Sequence, residues 1–168
     1  MFSGAFRQGS GSVAGTIEGI YTAPREGAAM QKPMHILAVE GCGLQGDRYC
    51  EGTGHWSRFG RVCEVTFIAA EDLEAIERET GVQVNNGEHR RNVVTRGIDP
   101  QRLRNRRFWV GEALFEYRGP RSVCRYIERI TEPGMTAALR GRGGFCARVI
   151  AEGAFSAGDA ITLIENAQ

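Results

Sequence analysis

Residues 107–119 read RFWVGEALFEYRG. Apolar, aromatic and β-branched positions stand on both sides of Gly111-Glu112, and the glycine supplies the backbone freedom a tight turn needs. The stretch is therefore expected to be a β-hairpin. Outward from it the same kind of segment recurs. RRNVVTRGI (90–98) reads as a strand, followed by a short helical turn at DPQRL (99–103). RVCEVTFIA (61–69) alternates and is rich in β-branched residues, so it is another strand. GTIEGIYTAP (15–24), with Gly19 as a possible bulge, and MHILAVEG (34–41) open the chain. FCARVIAEG (145–153) and AITLIE (160–165), joined by AFSAGD, close it.

AEDLEAIERETG (70–81) is the clearest helix, with acids in its first turn, apolar Leu73 and Ile76, and Gly81 as its stop. A second helical segment is expected over 122–131, restarted by Pro133 and ended by Gly141. Many short strands with glycine turns point to a mainly β fold, a closed or strongly curled barrel with a few peripheral helices. The strands do not alternate regularly with helices, which argues against a doubly wound sheet. At 168 residues one domain is expected over 15–168, after a flexible Gly/Ser-rich segment at 1–14.

Composition narrows the function. Hydrophobic residues make up 42% and charged residues 24%, with a formal net charge of +1, so no bulk charge draws the chain to nucleic acid or membrane. Of the 21 basic residues only Lys32 is lysine. Arginine is a planar, permanently charged fork for phosphate and carboxylate, whereas Schiff-base chemistry needs lysine, so pyridoxal phosphate on this chain is not expected. The N-terminal stretch lacks the pattern of a signal peptide, and no apolar run approaches the roughly 18 residues of a membrane span. Five cysteines without paired spacing suggest a cytoplasmic protein with reduced thiols.

One cysteine stands apart. YRGPRSVCRYIERI (117–130) sets Cys124 among Arg118, Arg121, Arg125 and Arg129. With Ser122 as cap, Cys124 would be the second residue of a helix, where the dipole and two neighbouring guanidiniums favour a thiolate that could carry sulfur or ligate a soft metal. A buried cysteine beneath solvated arginines is the plainer alternative. Cys63 and Cys146 read as strand core. Cys42 and Cys50 flank the glycine-rich loop GCGLQGDRYCEGTGHWSRFG (41–60) without a C-x-x-C pair, which argues against zinc. Arg48 and His55 could reach a ligand from that loop. Arg90 and Asn92, alternate residues of an expected strand, would share a face that can anchor a phosphate and a heterocycle edge, with Arg91 pointing the other way. Arg102 to Arg107 read as a solvated basic face. GRGGFCARV (141–149) leads into a strand and lacks the Lys-Ser/Thr pair of a phosphate loop.

Taken in order, GTIEGIYTAPREGAAM, VEGCGLQGDRY, RRNVVTRGIDPQRL, FWVGEALFEY, a cysteine opening a helix and GRGGFCARVIAEGAFSAGDAITLIE resemble the MOSC domain, found at the C-terminus of molybdenum cofactor sulfurases and in stand-alone bacterial proteins. The resemblance implies a mostly β barrel and one functional cysteine, Cys124, as molybdenum ligand or persulfide carrier. It implies that Arg90 and Asn92 line the site of a molybdopterin-type cofactor, with Arg48, His55, Arg58 and Arg121 as helpers. Implied partners are a cysteine desulfurase, which would hold the pyridoxal phosphate, or an electron-donor protein. The implied chemistry is sulfurtransferase-type handling of cofactor sulfur, or oxidoreductase chemistry that reduces N-hydroxylated compounds. Val123 stands where the family usually has proline. The competing readings are a non-enzymatic sulfur or cofactor carrier, and an anion or nucleic-acid binding module built on the arginines of 90–107.

Overall fold

A computed structural model describes residues 11–60 and 63–164. Seven strands close a barrel: β1 (Gly11–Ile20), β4 (Val65–Ala69), β5 (Val93–Arg96), β6 (Arg107–Val110), β7 (Ala113–Pro120), β8 (Phe145–Ala151) and β10 (Ala160–Ile164), in the spatial order β1-β10-β6-β7-β8-β4-β5. All neighbours are antiparallel except β4 and β5, and β5 pairs back onto β1 to complete the ring. The hairpin at 107–119 forms as expected. Gly111 turns it at φ 54°, and Val110 pairs with Ala113.

β4 shows how sequence sets the layers. Val65 and Phe67 point into the barrel, where Phe67 packs edge-on against Phe108 and Phe115 and stacks on Phe145 at 5.1 Å. Ile68 points outward into a second core with Leu73 and Ile76 of α1 (Ala70–Thr80) and with Ile127 and Met135. Period-two alternation thus serves two cores, and the whole strand is buried. α1 ends at Gly81, whose φ of 72° is the left-handed cap expected of that glycine.

Other expectations are corrected. β1 already begins at Gly11, so 11–14 are strand and not a loose leader; residues 1–10 lie outside the described residues. AFSAGD is not merely a connection. β9 (Gly153–Ser156) pairs with β2 (His35–Val39), and with β3 (Gly43–Leu44) they make a separate three-stranded sheet. The second helical segment is shorter than expected: α2 spans Tyr126–Ile130 and α3 Met135–Leu139. β7 runs on to Pro120, Arg125 takes the N-cap position without a side-chain cap, and Cys124 lies before the helix. No helix dipole acts on it as a first-turn residue.

The thiols differ too. Cys63 is joined to Cys146 and Cys42 to Cys50 in disulfides, leaving Cys124 the free cysteine among the five. The expectation of reduced thiols took no account of these approaches, which bring together residues 83 and 8 positions apart.

Candidate functional site

Three irregular segments meet around Cys124: the glycine-rich loop, the residues leading into β5, and the link from β7 to α2. Loop residue Asp47 is fully buried and works as a staple. Its carboxylate accepts from the backbone N–H of Ala23 at 3.1 Å and of Tyr49 at 3.2 Å, and it pairs with Arg48 at 3.0 Å. Arg48 is thereby locked, and its other amino group donates to the carbonyl of Arg90 at 3.0 Å.

Arg90 adopts φ 61°, a left-handed conformation rarely taken by residues other than glycine. This ends the alternation on which a common face for Arg90 and Asn92 depended. Arg90 and Arg91 both line the cavity with Cys124, and Asn92 does not. Asn92 is fully buried. Its Oδ1 accepts from the Thr66 backbone N–H and hydroxyl, each at 3.0 Å, and its Nδ2 donates to the Tyr21 carbonyl at 3.1 Å. The side chain clamps Tyr21, the residue that follows β1, to β4.

Arg91 is buried, with Nε donating to the Gly143 carbonyl at 2.7 Å. Burial, then the charge of Arg121, push its guanidinium below the ordinary arginine range, while Cys124 acts in the opposite sense. Arg90 is lowered in the same way, by burial and then by Arg48. Positive charge is therefore concentrated here beyond what Asp47 and the lining carboxylate Glu26 offset, a composition that suits an anion.

Cys124 is half-buried, and its carbonyl is held by the Thr136 hydroxyl at 3.2 Å. It lines a narrow cavity of about 40 Å³ with Arg48, Arg90, Arg91, His55 and Tyr126. Arg90 and Ile130 also line an adjoining, wider cleft of about 410 Å³. Together the throat and the cleft reach the size range of small-molecule sites. His55 stacks on Tyr126 at 3.8 Å, and its Nδ1 lies 3.1 Å from Glu26. Burial opposes it, yet the hydrogen bonds from Arg58 and His55 hold the Glu26 carboxyl below its usual value. Among the described residues, no group of three or more His, Cys, Asp or Glu comes together to hold a metal, so Cys124 is the soft ligand available in this cavity.

Of the residues singled out in the sequence, Cys124, Arg48, Arg90 and His55 line the cavity. Arg58 is exposed outside it and braces Glu26. Arg121 borders another cleft and reaches this one only through Tyr49, whose hydroxyl accepts from it at 3.4 Å. Arg91, Tyr49, Glu26 and Tyr126 were missed. Arg91 was assigned to the wrong side by strand alternation; Tyr49 and Tyr126, next to or near residues already noted, carried no chemical motif of their own.

A family model for the MOSC domain matches residues 54–162, more than half of the chain. The chain belongs to the MOSC domain family. Solved structures agree in fold. YuaD of Bacillus subtilis superposes with a TM-score of 0.74 at 17% identity, covering 89% of this chain and 94% of that one. YiiM of Escherichia coli gives 0.64 at 19%, covering 91% and 71%. YiiM of Geobacillus stearothermophilus gives 0.59 at 16%, covering 92% and 75%. No curated protein sequence matches the chain. Membership ties the MOSC barrel to molybdenum-cofactor-related function at the level of the domain. Among the described residues no helix of this MOSC domain is long and apolar enough to cross a membrane.

Proposed function

We propose that this MOSC domain binds the anionic, sulfur-bearing end of a molybdopterin-type cofactor, with Cys124 as its soft ligand or as the carrier of its sulfur. The observation that carries the reading is the donor set: one free thiol shares a cavity with Arg48, Arg90 and Arg91, and only Arg48 has a carboxylate partner within ion-pair distance among the described residues. Guanidiniums match the phosphate of such a cofactor and a thiolate matches a soft metal or sulfane sulfur. The residues fit the group. When bound, it would supply a two-electron metal centre. Arg90 and Arg91 would hold and orient the anion, Asp47 keeps Arg48 in place, and Glu26 orients the His55 ring through Nδ1.

A second reading, carriage of sulfur alone, is favoured by the throat of about 40 Å³. That is room for a sulfur atom and a water beside Cys124, but not for a pterin. A desulfurase would load the carrier; reduction of N-hydroxylated compounds would instead need the intact cofactor and an electron donor. Expression in a cofactor-competent host, followed by metal and mass analysis without added reductant, separates the two. Molybdenum near one per chain supports cofactor binding, and a persulfide on Cys124 without metal supports carriage. Cys124→Ser should abolish either signal while the fold is kept. Molybdenum retained at full stoichiometry in Cys124→Ser would remove the thiol from the site.

A further inference from the structure

The link between β7 and α2 has two sides. Ser122 and Val123 line the Cys124 cavity on one, and on the other they line a separate cleft of about 370 Å³ with Arg121, Arg140, Thr136 and the glycines of GRGG. Three features of this second cleft call for a ligand. First, among the described residues neither Arg121 nor Arg140 has a carboxylate within ion-pair distance, and no acid lines the cleft. Second, Arg121 Nε is buried with no hydrogen-bond partner, an unmet donor in a protein where such groups are rare. Third, the glycines leave bare backbone on one wall. A Cβ on Gly143 would come within 2.8 Å of the Arg121 carbonyl and the Val123 side chain, so the wall cannot carry a side chain without moving the arginine segment.

We propose that this second cleft is a distinct anion site that takes the phosphate group of a small molecule, held by Arg121 and Arg140 with the Ser122 hydroxyl. Two guanidiniums without a carboxylate partner among the described residues border a cleft without acids; Arg121 is held on one side by the Tyr49 hydroxyl and keeps its Nε unmet, and such a pair suits a dianion. The volume leaves room for an organic body beyond the phosphate. The site stands on residues other than Cys124, Arg90 and Arg91, so it holds whether or not the Cys124 cavity binds a molybdopterin.

Calorimetric titration of the purified protein with inorganic phosphate and with phenyl phosphate tests it. Both should bind, with affinity falling as salt rises. Tighter binding of phenyl phosphate identifies a phosphate ester as the natural class, and equal binding identifies free phosphate. Arg140→Gln, a change at an exposed residue, should weaken binding by about tenfold or more. Arg102→Gln, a change at an exposed residue that lines neither cleft, should bind as the parent does. The proposal is overturned if neither compound binds at millimolar concentration, if Arg140→Gln binds like the parent, or if Arg90→Gln abolishes binding, which would place the phosphate beside Cys124.

Discussion

The barrel interior and the Cys124 cavity are built on opposite terms. The interior is phenyl rings and aliphatic side chains from regular strands, all sealed and mutually supporting. The cavity sets a thiol and three arginines from loops beside one carboxylate, Glu26; two of the arginines are buried against their own preference and have no ion-pair partner among the described residues. One region lowers the free energy of the fold, and the other holds charge that the fold alone would not select. Local destabilisation of that kind is the pattern expected where a bound anion would supply the missing counter-charge.

The sharpest way to break this contrast is to mutate each side and compare stability with binding. Phe67→Ala, at the centre of the ring cluster, should cost about 3–5 kcal/mol in chemical denaturation. Asn92→Ala should follow at about 2–4 kcal/mol, because the Thr66 N–H and the Tyr21 carbonyl lose their buried partner. If Asn92 instead contacts the cofactor, its replacement will change binding and leave stability alone.

The contrast also explains what could be read in advance. Strands such as 107–119 and 160–164, and helix α1 to within a residue of its end, follow from alternation, turn glycines and capping, all local effects. The cavity depends on departures from them. Arg90 breaks the strand with a left-handed backbone, and residues 121–124 lie outside the helix, which starts only at Tyr126, although the helical spacing of the sequence reaches back to 122. Two disulfides and the sheet formed by β2, β3 and β9 depend on tertiary approach and leave no local mark. Cys124, Arg48, Arg90 and His55, each singled out by chemistry visible residue by residue, do line one cavity. Arg91 was misplaced because its orientation is not visible in that way.

Smaller effects sharpen the boundary between the two regions. His89 is fully buried behind the arginines, with Nδ1 accepting from the Arg91 N–H at 2.9 Å and Nε2 without a partner. Burial, then Arg91, push it down to about 3. Its folded value lies below the unfolded one, so the unfolded chain takes up the extra proton. Stability should hold above pH 6.5 and fall as pH drops from there toward 3, by about 1.4 kcal/mol per unit. His89→Phe should flatten that slope in denaturation measured across pH.

Arg91→Met should have the smallest effect on stability, under about 1 kcal/mol, because the loss of one hydrogen bond to Gly143 is offset by removal of an uncompensated buried charge. Its effect on cofactor binding should be tenfold or more. Destabilisation as large as that of Phe67→Ala would mean that the arginine belongs to the scaffold and that the contrast is false.

Alkylation of the native protein by iodoacetamide, followed residue by residue by mass spectrometry, reports on the cavity itself. Cys124 should be the labelled cysteine, with Cys42, Cys50, Cys63 and Cys146 protected as disulfides, and saturating purified molybdopterin should slow its labelling at least tenfold. Labelling of Cys124 at the same rate with and without molybdopterin would contradict the assignment of this cavity as the cofactor site.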